Sequence, residues 1–232
     1  MCLHQGAGSS ILPPMKIQIL PSLLAADFGR LADEVRRVAD AGADALHLDI
    51  MDAHFVPNLS FGPDVVALCA RVCPSLFRDV HLMMTRPDVY IDRFADAGAD
   101  AMLIHVEADC DVWETLRAIR RCSVQSGLVS RPQTPVNALY PYLSLCDEVL
   151  FMTVNPGYGG QAFMPEVLLK IKALRAYAPS LDIMVDGGIN FETAVTCAGH
   201  GANRFIAGSF MFRQPDMGEA VRRMRNSVMR GQ

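Results

Sequence analysis

The chain of 232 residues lacks a strong excess of charge, a long uncharged apolar run and a paired cysteine motif. Its 21 basic and 25 acidic side chains give a net charge of −4, without the basic cluster that marks a nucleic-acid surface. No window of the sequence is long enough and free enough of charge to cross a membrane. We therefore expect neither nucleic acid nor a membrane among its partners.

Cysteine is present but shows no pattern of disulfides or zinc knuckles. The seven cysteines are odd in number, and Cys69 and Cys73 are spaced as on one helix face. Reduced thiols and a cytoplasmic location are expected. Residues 1–14 lack the basic start and apolar run of a signal peptide, so we interpret them as a flexible N-terminal extension before a catalytic domain of residues 15–232.

From Met15 onward, short apolar runs alternate with amphipathic segments, which is typical of repeated strand–helix units. Eight such pairs are predicted, including a helix over residues 136–145 between the fifth and sixth strands. The sequence Ala-Asp-Ala-Gly-Ala-Asp-Ala at 39–45 recurs at 95–101, each time at a joint between a helix and a strand. These features predict a single-domain (β/α)8 TIM barrel of the α/β class. An open doubly wound sheet is the alternative, but no switch point in strand order is evident.

Polar side chains stand at the carboxyl ends of three predicted strands. His47 and Asp49 alternate onto one face of the second strand, His81 lies near the end of the third, and Asp186 ends the seventh. In a barrel these strand ends meet at one rim, so two imidazoles and two carboxylates could converge. Such a mixed nitrogen and oxygen set suits zinc, iron, manganese or cobalt. Four separately hydrogen-bonded polar groups would fit the same spacing equally well.

Glycines follow the sixth, seventh and eighth predicted strands. The run at 155–161 reads Asn-Pro-Gly-Tyr-Gly-Gly-Gln, and glycine pairs with a small or polar neighbour at 187–188 and 208–209. Glycine lets backbone N–H groups approach an anion, and the loops after strands seven and eight frequently build the phosphate site of such barrels. We expect a phosphate site here, although a glycine run alone can be only a turn.

A second polar pair lies on the fourth predicted strand. His105 and Glu107 are two residues apart and therefore share a face. They fit two alternatives: support for the groups that hold a metal, or a hydrogen-bonded pair in the interior.

With these residues placed, the sequence resembles the ribulose-phosphate 3-epimerase family from about residue 17 to residue 225. The matching blocks are PSLLAADF at 21–28, HLDIMDAHFVPN at 47–58, HLMM at 81–84, HVEA at 105–108, MTVNPGYGGQAF at 152–163, VDGGI at 185–189 and AGS at 207–209. The resemblance implies a (β/α)8 barrel that interconverts D-ribulose 5-phosphate and D-xylulose 5-phosphate. It further implies one divalent metal ion per subunit, a phosphorylated ketose as substrate and a homo-oligomer.

The resemblance also implies roles for individual residues. It assigns the metal to His47, Asp49, His81 and Asp186, and acid/base catalysis to Asp49 and Asp186. The substrate-binding positions that it implies are Ser22, His81, Gly157, Tyr158, Gly159, Gly160, Asp186, Gly187, Gly188, Gly208 and Ser209.

Two positions depart from the family pattern. Ala53 stands where the family usually has glycine, and Ser130-Arg131-Pro132 stands where it usually has Leu-Asn-Pro. We expect Arg131 to be an outward-facing surface charge; an inward guanidinium would change which phosphorylated ketose fits. Two alternative functions therefore stay open: a 3-epimerase for another ketose phosphate such as D-allulose 6-phosphate, and a catalytically silent sugar-phosphate-binding protein.

Overall fold

The computed structural model describes residues 15–231, and the interpretation of residues 1–14 as an extension lies outside them. Eight parallel strands form one sheet in the order β1-β8-β7-β6-β5-β4-β3-β2. A parallel bridge between Ser22 and His47 joins β1 to β2, so the two edges of the sheet meet and the predicted barrel is confirmed. The strands are β1 (Gln18–Pro21), β2 (Ala45–Met51), β3 (Phe77–Met83), β4 (Ala101–His105), β5 (Gln125–Ser130), β6 (Glu148–Met152), β7 (Asp182–Asp186) and β8 (Arg204–Ala207).

The helices lie around the sheet, and several begin at a polar cap. Asp111, Asn190 and Asp216 each accept a hydrogen bond from the backbone of the first turn that follows them. Within residues 15–231 no helix is long and apolar enough to span a bilayer. The helices are α1 (Leu31–Asp40), α2 (Pro63–Val72), α3 (Ile91–Asp96), α4 (Val112–Arg121), α5 (Leu168–Tyr177), α6 (Phe191–Ala198), α7 (Ser209–Phe212) and α8 (Met217–Arg230).

The helix predicted over residues 136–145 lies where it was expected, but it is not an α-helix. The chain instead forms two short 3₁₀ segments, Val136–Ala138 and Tyr140–Leu145. Pro141 explains the difference, because in an α-helix begun at Val136 it would lack the N–H needed to bond the carbonyl of Asn137. A 3₁₀ segment that begins one residue earlier tolerates proline in its first turn.

Residues along each strand alternate between the barrel interior and the layer beneath the helices. In β2, Leu46, Leu48 and Ile50 join the large apolar core under the helices, whereas Ala45 joins a separate interior cluster with residues of β4 to β8. His47 and Asp49 share the parity of Ala45 and therefore point inward. The barrel thus carries apolar side chains in its middle and delivers polar ones to the carboxyl ends of its strands.

Candidate active site

Strands β2, β3 and β7 bring the four predicted metal ligands together. One ligand atom each of His47, Asp49, His81 and Asp186 lies within 4.8 Å of all the others. Asp49 and His81 are direct partners in the β2–β3 ladder. Strand β7, which carries Asp186, is separated from β2 around the barrel by β1 and β8. This convergence favours a metal site over four separately hydrogen-bonded groups.

The hydrogen bond between His47 and Asp79 leaves Nε2 of His47 for a cation. Nδ1 of His47 lies 2.6 Å from Oδ2 of Asp79, to which it donates, so Nε2 carries no proton in the neutral ring. This Nε2 is buried, lies 3.3 Å from Oδ1 of Asp49 and has no hydrogen-bond partner among residues 15–231. A carboxylate behind a histidine whose other nitrogen is bare is the usual support of a metal ligand, so the residues present fit a divalent ion.

Two neighbouring groups lie against the Asp49 carboxylate. Oδ2 accepts a hydrogen bond from Oγ of Ser22 at 2.5 Å, and Oδ1 lies 3.2 Å from Nδ1 of His81. Ser22 follows β1 directly, and the bridge that closes the barrel places it beside His47 of β2. The orientation of this carboxylate is therefore fixed by barrel closure itself.

The two carboxyl groups of the cluster have opposite pKa shifts in the metal-free protein. Burial, together with the nearby charge of Asp49, raises the pKa of Asp186 to about 7. Burial also opposes ionisation of Asp49, but the facing imidazoles of His47 and His81 outweigh it and hold the pKa of Asp49 well below its usual range. Asp49 is therefore ionised and can act as a base, whereas Asp186 holds a proton up to neutral pH. This is the pattern of an acid/base pair.

Asp186→Asn is expected to stabilise the metal-free protein more at pH 8 than at pH 5. The folded-state pKa of Asp186 lies above its ordinary value of 3.8, so its favourable contribution is complete below that value and is lost as the pH rises through about 7. Asparagine does not ionise and loses nothing over this range. Thermal unfolding of chelated variant and wild type at both pH values measures the difference. An equal change of Tm at the two pH values would show that Asp186 does not carry this shift.

A cavity of roughly 470 Å³ opens above the cluster. Asp49, Asp186 and Ser22 contribute to its wall, and Met51, Met83 and Met152 give it an apolar part. His47 and His81 are fully buried and are absent from the lining formed by the described residues, so the substrate contact predicted for His81 stays a prediction. The remaining predicted substrate-binding residues all line the cavity: Gly157, Tyr158, Gly159, Gly160, Gly187, Gly188, Gly208 and Ser209.

The turn after β7 requires its two glycines. Gly187 and Gly188 have φ of 117° and 66°, which side chains rarely adopt. A Cβ on Gly187 would collide with Val154, and one on Gly188 would lie 2.9 Å from the backbone nitrogen of Phe163. The loops after β6 and β7 therefore pack backbone against backbone beside the cavity, a cradle that a side chain would fill.

Arg131 points inward, so the predicted outward surface charge is wrong. Its guanidinium lies 4.1 Å from the centre of the Phe55 ring, and Nη2 donates to the Phe55 carbonyl at 2.9 Å. Arg131 continues the parity of Gly127 and Val129, whose side-chain positions face the barrel interior. It does not line the cavity described above, because the loop after β2 holds it. Any influence on substrate choice is therefore indirect.

The loop after β2 accommodates Ala53 with strain. Ala53 has φ of 60°, a left-handed conformation that glycine adopts freely and that costs alanine roughly 1–2 kcal/mol. Oδ1 of Asp52 accepts hydrogen bonds from the backbone nitrogens of His54 and Phe55 and holds the turn. The departure from the family pattern changes the energy of this loop and leaves its turn in place.

The structure adds residues that sequence reasoning left without a settled role. Asp79 supports His47, and its position two residues before His81 on the same face of β3 was the available signal. His105 and Glu107 lie directly behind His81, which decides between their two alternatives in favour of support for the cluster. Burial lowers the pKa of His105 to about 4. Burial opposes ionisation of Glu107, but its contact with His105 outweighs this and lowers the pKa to about 2.

Comparison with known proteins decides the family. A sequence profile of the Ribulose-phosphate 3 epimerase family matches residues 18–212. The chain belongs to the ribulose-phosphate 3-epimerase family. It is 44% identical over 216 residues to the ribulose-phosphate 3-epimerase of Bacillus subtilis (strain 168), which covers 91% of this chain and 99% of that protein. It is 43% identical over 215 residues to the cytoplasmic isoform of the enzyme from Oryza sativa subsp. japonica, covering 91% and 94%.

Solved structures of other sugar-phosphate enzymes share the barrel. The 3-hexulose-6-phosphate synthase from Salmonella typhimurium superposes with a TM-score of 0.70 at 15% identity, covering 93% of this chain and all of that one. This likeness shows the fold alone. The sequence relatives of the ribulose-phosphate 3-epimerase family therefore carry the functional comparison.

Proposed function

We propose that this isomerase is a metal-dependent 3-epimerase that interconverts D-ribulose 5-phosphate and D-xylulose 5-phosphate. The observation that carries the proposal is the meeting of Asp49 and Asp186 with two imidazoles at one side of a cavity whose other side is a glycine cradle. Relatives that match almost the whole chain bear the name of this enzyme.

The cluster offers one donor atom from each of four residues to the metal. Nε2 of His47, Nδ1 of His81 and a carboxylate oxygen each of Asp49 and Asp186 would hold it, a set that suits zinc, iron, manganese or cobalt. When bound, one such ion per subunit supplies Lewis acidity that polarises the substrate carbonyl and stabilises negative charge beside it.

Asp49 and Asp186 are placed to move the protons. Epimerisation beside a carbonyl requires a proton to leave one face of C3 and another to arrive at the opposite face, which a single group cannot easily do. The two carboxyl groups come from separate strands and both line the cavity. The Ser22 hydroxyl orients the Asp49 carboxylate. The backbone N–H of Thr153 donates to the backbone carbonyl of Asp186 at 2.7 Å and holds the end of β7 in place. We assign the base to one and the acid to the other, with the roles exchanged in the reverse direction.

The loops after β6, β7 and β8 are proposed to bind the substrate phosphate. Their glycines leave the backbone exposed to the cavity, and Arg213 adds a positive charge to the same lining. A phosphate held there would fix C3 between the two carboxyl groups, so binding energy is used for orientation.

A panel of ketose phosphates tests the proposed substrate. We expect metal-loaded protein to show its highest kcat/KM with D-ribulose 5-phosphate and a value at least about tenfold lower with D-allulose 6-phosphate, since one altered contact is worth about that factor. Elemental analysis of the same sample identifies the metal. Preference for the hexulose phosphate would assign the alternative specificity, and binding without turnover would assign the silent binding protein.

A cytoplasmic location and a homo-oligomeric state are further parts of the proposal. The rice relative is named as a cytoplasmic isoform, which supports the location. Light scattering after size exclusion measures the mass of the particle, and a mass of one chain would contradict the oligomer.

A further inference from the structure

A continuous series of polar contacts runs from the loop after β5 to the metal-ligand cluster. The backbone N–H of Arg131 donates to Oε1 of Glu107 at 2.9 Å, and the hydroxyl of Thr134 donates to the same oxygen. Oε2 of Glu107 lies 3.0 Å from Nδ1 of His105. Nε2 of His105 lies 2.9 Å from Nε2 of His81, whose other nitrogen, Nδ1, faces Asp49.

Two neutral rings carry one proton each, so they cannot donate along all three contacts between Glu107 and Asp49. The contact of His105 with Glu107 is the shorter of the two carboxylate contacts, at 3.0 Å against 3.2 Å for His81 with Asp49, so the protons are placed to satisfy the Glu107 end. The Glu107 carboxylate can only accept, so His105 carries its proton on Nδ1 and leaves Nε2 as an acceptor. His81 must then carry its proton on Nε2 and donate it to His105. Nδ1 of His81 is consequently bare, and a bare ring nitrogen is what metal ligation requires.

We propose that Glu107 and His105 are positioning residues that fix the tautomer of His81, so that its bare Nδ1 is directed at the metal. The inference rests on the proposed function only in taking His81 as a metal ligand. Asp79 fixes the tautomer of His47 by direct contact, whereas Glu107 fixes the tautomer of His81 through the intervening imidazole of His105.

The imidazole rings of His81 and His105 are enclosed by protein groups. His81 and His105 are both fully buried, and their ring centres lie 5.0 Å apart. The Phe55 ring packs 4.7 Å from the His105 ring and also contacts the Arg131 guanidinium. Because solvent does not reach the rings, the protein groups around them determine which nitrogen is protonated, and the Glu107 carboxylate is the group that contacts His105.

Glu107→Gln tests the inference, because it keeps the shape of the side chain and reverses the direction of each hydrogen bond from residue 107 to His81. The Arg131 N–H needs an acceptor, so the amide oxygen of glutamine stays there and its NH₂ group turns to Nδ1 of His105. His105 then carries its proton on Nε2, and His81 is forced to carry its own on Nδ1. We expect the variant to bind zinc about 10–100-fold more weakly than wild type, the usual effect of losing such a support.

Two further variants separate this effect from ordinary structural damage. Glu107→Ala removes the acceptor without imposing a donor, so it is expected to unfold at a lower temperature than Glu107→Gln yet bind zinc more tightly than it does. Thr134→Val removes the second donor to Oε1 and keeps the contact to His105, so its zinc affinity is expected to stay near that of wild type. Competition with a chromophoric chelator measures the affinities.

The tautomer of His105 gives a readout that does not depend on activity. In metal-free protein labelled with ¹⁵N-histidine, NMR is expected to show the Nδ1–H form in wild type and the Nε2–H form in Glu107→Gln. Wild-type zinc affinity in Glu107→Gln, weaker binding in Glu107→Ala than in Glu107→Gln, or an unchanged His105 tautomer would each overturn the inference. A protein that binds zinc as expected but turns over no ketose phosphate would instead refute the proposed function.

Discussion

Asp49→Asn and Asp186→Asn are each expected to lower kcat for D-ribulose 5-phosphate by about 10²–10⁴-fold, the range that a positioned general acid or base contributes. Asparagine keeps the size of the side chain but cannot accept or deliver the proton at C3. Because both residues also belong to the metal cluster, the metal content of each variant must be measured beside its steady-state rate. The reduction is expected to persist in samples that hold a full complement of metal.

The matched control is a carboxylate outside the cavity. Asp64 is exposed in the first turn of α2, so Asp64→Asn is expected to keep the wild-type rate. A near-normal rate in either site variant would rule out proton transfer by two carboxylates.

Removal of the metal is the second change with a large expected effect. Dialysis against a strong chelator is expected to abolish measurable turnover, and zinc, iron, manganese or cobalt is expected to restore it. Two imidazoles and two carboxylates favour these ions over magnesium, which prefers oxygen ligands alone and should restore little. Turnover is assayed before and after each addition, with elemental analysis of every sample. A rate unchanged in protein shown to be free of metal would contradict the proposed role of the cluster.

The barrel could be predicted from the sequence because its strands are buried on both sides and end sharply. The sequence predicts the second strand over residues 45–51, and the structure has the same bounds, with seven consecutive buried residues before a turn built on Asp52. The segment over 136–145 is helical as predicted, but in 3₁₀ form, because Pro141 lacks the N–H that an α-helix needs at that position. The spacing of apolar residues therefore predicts a helical segment here, and the absence of one backbone N–H at Pro141 determines that it is 3₁₀ and not α-helical.

The candidate site was predictable in part for the same geometric reason. Parallel strands of a barrel end at one rim, so His47, Asp49, His81 and Asp186 could be expected to meet. The contacts of His105 and Arg131 were harder, because they depend on which neighbouring strand or loop supplies a partner. The link between His81 and His105 follows from the β3–β4 register, which the sequence does not state. The fifth strand predicted from the sequence, residues 128–131, already places Arg131 on the same face as Val129, so its inward direction could have been read from that parity.

The epimerisation of D-ribulose 5-phosphate in ²H₂O by metal-loaded protein is the most direct test of proton transfer between two carboxyl groups at C3. The D-xylulose 5-phosphate formed is expected to carry solvent deuterium at C3, seen by NMR as loss of the C3 proton signal, with no product from Asp49→Asn or Asp186→Asn on the same timescale. D-Xylulose 5-phosphate that keeps its original hydrogen at C3, or no product from protein with a full complement of metal, would contradict the proposed chemistry.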